Sequence, residues 1–404
     1  MSTAPGNQDH PGGSAPTALK AHPPEEPPAD NAEVHPAGEP ATPNPNASTF
    51  VLVTGGQGFI ASRLILQLLT AGYTVRTTVN NLAQEAKVRK GLAAALTAAG
   101  AVDADADCHL RRLRFFEADL ASDNGWSDAM KGCTYVHHDM TDDDAPKESV
   151  LRVLGAAHEA VIDRVVLTSS FATIGYGHPP DANRVFTEND WSIDNSSLPA
   201  CHRSLLQAER AAWEYVQRLP VGSGRHGNKM QLVVLNPVGI YGPVLSGLQS
   251  SSTPSAIARL LDGTWSALPD LHLGMVDVRD LADLHVLAMT ASDESSSGQR
   301  FLAASDGRPT SLSGIALAIR KERPQLAKER KVPSVSVPNW MSKAASLVSG
   351  GGSKELPPML GPVRNTNNAR ARDQLGWRPR PSYETIMDTV DSLVAVEEAA
   401  AAQK

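Results

Sequence analysis

Val51–Ser62 reads VLVTGGQGFIAS. Four apolar or β-branched residues run straight into a glycine-rich turn, and an apolar helix pattern follows at once. Gly55 permits a tight turn. Gly58 lets the backbone approach a ligand closely, and Ala61 is small enough for helix–strand packing. The start of that helix offers free N–H groups and a partial positive charge, which suit a pyrophosphate. The amides of Gly55, Gly56, Gly58, Phe59 and Ile60 are therefore predicted to bind a dinucleotide. The context decides the reading, because a strand precedes the turn and a strand–helix series follows it.

Working outward, strand and helix patterns alternate. Tyr73–Val79, Leu113–Ala118, Thr134–His137, Arg164–Thr168 and Leu232–Asn236 read as strands. Phe59–Ala71, Leu82–Ala99, Asn124–Met130 and Lys147–Val161 read as helices. Continuous apolar strands separated by helices imply parallel pairing with helices on both faces. The predicted fold is an α/β, Rossmann-type, doubly wound parallel sheet with a smaller C-terminal substrate lobe. Expected boundaries are a disordered tail over 1–48, a nucleotide-binding domain over 49–237, a lobe over 238–395 interleaved with the sheet, and a tail over 396–404.

The leading segment holds eleven prolines and no aromatic residue, so it cannot bury enough apolar surface to offset chain entropy. It lacks the apolar stretch of a secretory signal and the arginines of a mitochondrial presequence, so a cytoplasmic location is expected. A net charge of -7 gives no global basic surface for nucleic acid or anionic membrane. No apolar run approaches the length of a membrane helix. Cys108, Cys133 and Cys201 are scattered, with neither metal spacing nor a disulfide framework.

The second strand, TVRTTVNN over 74–81, carries Arg76 and no acid near its end. A guanidinium there suits a 2′-phosphate, which favours NADP and leaves NAD open. A solvated strand-end arginine is the plainer alternative. Asp119, with Leu120 after it, either accepts from an adenine amino group or caps the next helix. Asn236, Pro237 and Val238 end a strand and are expected to flank the nicotinamide.

These motifs, together with RVVLTSSFATIGYG at 164–177, AERAAW at 208–213, NPVGIYGP at 236–243, DVRDLADLH at 277–285 and NNARARDQLGW at 367–377, resemble the extended short-chain dehydrogenase/reductases. Within that NAD-dependent epimerase/dehydratase superfamily, the chain is most similar to the dihydroflavonol reductase and 3β-hydroxysteroid dehydrogenase-like branch. The resemblance covers roughly residues 49–395. It implies hydride transfer between a nicotinamide and a carbonyl or alcohol of a bulky small molecule. It also implies a serine that orients the substrate oxygen, and a Tyr-x-x-x-Lys pair that moves the proton.

Ser170 falls at the serine place, with Ser169 beside it. The Tyr and Lys places fall on Cys201 and Leu205. A thiol titrates near ~8.5 but is much shorter than a phenol, and leucine carries no charge. His202 and Arg203 are expected to leave the helix in other directions. A second departure is HHDMTDDDAPKES over 137–149, a shortened, acid-rich loop. His137 and His138 with Asp139, Asp142, Asp143 and Asp144 compose either a metal set or, favoured, a solvated loop with no metal. Two readings of function stay open: an NAD(P)-dependent oxidoreductase, or a nucleotide-binding or regulatory protein that has lost its reaction. Homodimerisation is left open too.

Overall fold

The structure, a computed structural model, describes residues 44–100, 103–140, 146–245, 255–263, 265–338 and 363–402. The seven-stranded sheet is built from β1 (Phe50–Val53), β2 (Thr74–Val79), β3 (Leu113–Glu117), β4 (Tyr135–Asp139), β5 (Arg164–Thr168), β6 (Gln231–Pro237) and β7 (Arg300–Ala303). Their spatial order is β7-β6-β5-β4-β1-β2-β3, and every pairing is parallel. The chain starts in the middle and winds outward both ways, so a crevice opens beyond the carboxyl ends of β1 and β4.

Alternation along β1 sends Val51 and Val53 to one face and Leu52 to the other. The first face is covered by α1 (Phe59–Thr70), α2 (Glu85–Ala98) and α3 (Asp103–Leu110). The second is covered by α4 (Trp126–Met130), α5 (Pro146–Glu159) and α6 (Ala200–Arg218). A third apolar cluster gathers the lobe: α7 (Ser255–Leu261), then α9 (Leu312–Glu322) and α11 (Ser382–Ala401). The intervening α8 (Val278–Thr290) returns to pack on α1. Both α8 and β7, which follow residue 238 in the chain, return to the sheet and its first-face core.

Two expected boundaries shift. Residues 44–48 are tied down: Asn46 Nδ2 donates to Ala71 O at 2.9 Å, and Thr74 Oγ1 donates to Ala47 O at 2.8 Å. At the other end α11 runs on to Ala401. Asp277 caps α8 by accepting from the Arg279 amide, and Asp280, in the first turn, is held by Arg380. Gly376 ends α10 (Ala369–Leu375) with φ 67°, the left-handed conformation glycine adopts without strain. Trp377 then docks beneath α8, its Nε1 donating to Asp280 O at 2.7 Å.

Candidate active site

The turn after β1 is assembled as its residues require. Gly55 sits at φ +62°, and the Gly58 amide donates to Gly55 O at 2.8 Å. The Gly55 and Gly56 amides are held by Thr78, through its side-chain and backbone oxygens respectively. A Cβ on Gly56 would lie 2.3 Å from Thr77 Oγ1. Gly58 caps α1 with no side chain, and no acid stands in the first turn. The amides of Phe59, Ile60 and Ala61 therefore carry the partial positive charge of a twelve-residue helix toward the crevice. This cradle fits a diphosphate. Both Phe59 and Ile60 are buried, so their side chains anchor the helix and leave contact to the backbone.

Arg76 requires a correction. It stands in mid-strand, paired with Leu52 on one side and Arg114 on the other, and β2 continues to Val79. Its Nη1 donates to the carbonyls of Asp128 and Ala129, and its guanidinium lies over the rings of Phe50 and Phe116. Those contacts cap the carboxyl end of α4, away from the strand end where a ribose would sit. The exposed residues at that end are Asn80 and Asn81. Asp119 is exposed, and its Oδ1 accepts from the Ala121 amide; α4 has Gly125 at its cap, so the helix-capping alternative for Asp119 does not hold. The half-buried Leu120 follows and packs against the second-face core.

Ser170, two residues past the end of β5, lines a cavity of about 210 Å³ with Phe171, Tyr176, His202, Pro237, Val238 and Arg364 among its walls. The Ser170 Oγ also accepts from the Ala172 amide at 3.1 Å. Pro237 and Val238 line this cavity. Asn236 does not: it is fully buried, with Nδ2 donating to Thr173 Oγ1 and to Glu209 Oε2. Behind the serine lies a carboxylate that the sequence reading passed over. Glu209 accepts from Ser169, Thr173 and Asn236, and its Oε1 lies 2.7 Å from Arg300 Nε.

On α6, the two positions where the family resemblance expects tyrosine and lysine have different surroundings. Leu205 is 4% exposed and packs in the core shared with α5, while Cys201 is exposed at the helix start. Arg203 is taken by Asp194 and by the carbonyls of Asn195 and Leu198. His202 lines the cavity, which Cys201 does not. Burial and the nearby Arg364 push its imidazole down to about 4, so it is neutral at ordinary pH. Arg364 arrives from far along the chain, because residues 365–366 pair with 185–186. Its Nε donates to Gly175 O at 3.1 Å. Distance in sequence hid this partner.

His137 and His138 turn to opposite faces of β4. His137 Nδ1 meets His285 Nδ1 at 3.1 Å, and His285 Nε2 meets Thr168 Oγ1 at 3.1 Å. His138 Nδ1 meets Thr54 Oγ1 at 2.9 Å. The pair therefore cannot converge on one ion, and no metal-holding group occurs among the described residues. Asp142, Asp143 and Asp144 lie outside those residues.

A Rossmann sheet with a glycine cradle and a serine-edged cavity at one crevice defines a nucleotide-dependent enzyme class. The family model for the NAD dependent epimerase/dehydratase family matches residues 51–304, and the chain belongs to that family. The cinnamoyl-CoA reductase CAD2 of Medicago truncatula is 30% identical over 277 residues, 64% of this chain and 76% of that one. A Candida albicans protein named for NADPH-dependent methylglyoxal reduction is 28% identical over 346 residues, covering 77% and 94%. The yeast methylglyoxal/isovaleraldehyde reductase Gre2, solved with NADPH, superposes with a TM-score of 0.63 at 22% identity, covering 87% of this chain and 99% of its own. No helix among the described residues is long and apolar enough to cross a membrane.

Proposed function

We propose that this protein binds NADPH and reduces a carbonyl group on a bulky small molecule. One observation carries the reading: the uncapped, glycine-approached start of α1 opens at the same carboxyl edge of the sheet as the cavity beside Ser170. The Phe59–Ala61 amides would hold the diphosphate, with the Gly55–Gly58 turn letting it approach, Asp119 and Leu120 toward the adenine and Pro237 and Val238 toward the nicotinamide. Preference for NADPH rests on the relatives, two of which are named with it. It no longer rests on Arg76, so the 2′-phosphate would meet Asn80 and Asn81. A cytoplasmic protein, alone or as a homodimer, is the setting we propose.

A second reading has its own support. The exposed Cys201 and the core position of Leu205 favour a protein that holds the nucleotide and does not turn it over. Fluorescence titration of the purified full chain with NADPH and NADH separates these, followed by NADPH consumption with a panel of ketones and aldehydes. Binding with consumption supports the reductase, and binding alone supports the second reading. Failure of both nucleotides to bind below about 1 mM would overturn both.

A further inference from the structure

The cavity beside Ser170 contains a phenol with no hydrogen-bonding task in the fold. Tyr176 follows Ser170 in the loop after β5. Its amide is satisfied by Ser192 Oγ at 2.9 Å, but no described residue hydrogen-bonds its phenol oxygen. Its ring lies 6.1 Å from that of Phe171 and 4.3 Å from that of His202, both edge-on. The Arg364 guanidinium covers its face, 4.2 Å from the ring centroid. Cys201, at the place where the family resemblance expects a tyrosine, is close enough to act on the phenol electrostatically. A phenol and a cation thus line the same cavity as the serine, each delivered by a segment other than α6.

We infer that Tyr176 donates the proton to the carbonyl oxygen of a substrate held beside Ser170, and that Arg364 is the positioning cation that steadies the phenolate left behind. This rests on the reductase reading above. A bound nicotinamide would supply the hydride. The substrate carbonyl carbon gains that hydride, and the carbonyl π pair moves onto oxygen. That oxygen takes the proton from Tyr176 Oη as the phenol O–H bond breaks. The phenolate then takes a proton from water, so one hydride and one solvent proton convert the carbonyl to an alcohol.

The other proton carriers in the cavity are less suited. His202 is neutral, and its Nδ1 is buried without a partner. His272 lies 3.7 Å from Asp270. Tyr241 is buried in the lobe core. For Tyr176, burial raises the proton affinity and Cys201 adds to the rise, while Arg364 opposes it. The phenol is therefore protonated at neutral pH, a resting acid.

The test uses the full chain labelled with ¹³Cζ-tyrosine, with NADPH, methylglyoxal and cinnamaldehyde as probes. The resonance that disappears in Tyr176→Phe identifies the phenol. Its titration midpoint is expected to rise by about one pH unit in Arg364→Gln, because an opposite charge at this range favours the ionised form. Tyr176→Phe is expected to lower kcat about 100-fold or more while NADPH affinity holds, the usual effect of removing a positioned acid. The inference is overturned if Tyr176→Phe keeps kcat, if His202→Gln or Cys201→Ser abolishes it instead, or if Arg364→Gln leaves the midpoint in place. A parent protein that binds NADPH but consumes none with either probe also overturns it, and leaves nucleotide binding standing. A parent that does not bind NADPH overturns the reading beneath it.

Discussion

Replacing Glu209 by alanine tests the support behind the site. The Glu209 side chain is 0% exposed and that of Arg300 is 7% exposed, and their 2.7 Å contact joins α6 to β7 across the end of β6. Arg300 also donates to the carbonyls of Glu188 and Asp190 and lies 3.8 Å from the Trp191 ring centroid, so it cannot swing out to water when its partner is removed. Leaving one buried charge uncompensated costs about 3–5 kcal/mol. The hydroxyl of Ser169 and the amide of Asn236 lose an acceptor as well. Thr173 Oγ1 receives from Asn236 Nδ2, which softens that loss, so the total stays near 4 kcal/mol rather than summing bond by bond. Glu209→Leu combined with Arg300→Met removes both charges and is expected to cost at least about 2 kcal/mol less than the two single changes added. Chemical denaturation followed by tryptophan fluorescence reads these values, at unchanged slope. A loss below about 1 kcal/mol for Glu209→Ala, or additivity within about 0.5 kcal/mol, would refute the argument that this pair is desolvated and coupled.

Three further outcomes follow from the geometry. His138 and His285 are driven by burial down to about 4 and about 3, and His137 also lies well below its ordinary 6.5. The unfolded chain therefore takes up protons first: stability is full above about pH 6.5 and falls below it, by about 1.4 kcal/mol per pH unit for each histidine. Urea midpoints measured from pH 7.5 to 5 check this; His202, also held at about 4, shares the slope, so His138→Phe should flatten it by about a quarter. Arg76→Ala is expected to leave the ratio of NADPH to NADH affinity within about threefold, because its guanidinium is spent on α4, whereas Asn80→Asp should weaken NADPH by about tenfold or more. Paired titrations decide between the two positions. Gly56→Ala would press a methyl group into Thr77, whose Oγ1 already bonds Val53 O at 2.8 Å, so it should cost about 1–3 kcal/mol and disturb the cradle. A melting temperature equal to the parent's would count against that packing.

What the sequence disclosed was local. VLVTGGQGFIAS announces strand, turn and helix within twelve neighbouring residues, and RVVLT is apolar enough to be buried on both faces. Arg76 shows the limit. Its alternation within TVRTTV was visible, but the strand's length is set by pairing with β3, and only that register shows that the side chain faces α4. β7 escaped notice because RFLA is four residues long and has no flanking periodicity. It becomes a strand by pairing with residues 234–237 of β6. Tyr176 and Arg364 were invisible as a pair for the same reason, since 189 residues separate Arg364 from the Gly175 carbonyl it holds.

Cys201 and Leu205 on α6 make sense once their neighbours are counted. A lysine at 205 would need its ammonium to reach out of a core made with α5, whereas Leu205 adds apolar contact at no electrostatic cost. Four residues on, Glu209 faces the same sheet and keeps its own cation from β7. With leucine at 205, a phenol at 201 would have no cation one turn away to tune it, and a tyrosine there would add bulk close to Tyr176. A short residue at 201 and a cation brought in by the 364–366 segment are therefore compatible with each other. If that is right, the double change Cys201→Tyr with Leu205→Lys should crowd Tyr176 and fail to raise turnover. A rate gain from it would instead mean that the helix had kept the geometry of the lost pair, and that Tyr176 lies beside the reaction without entering it.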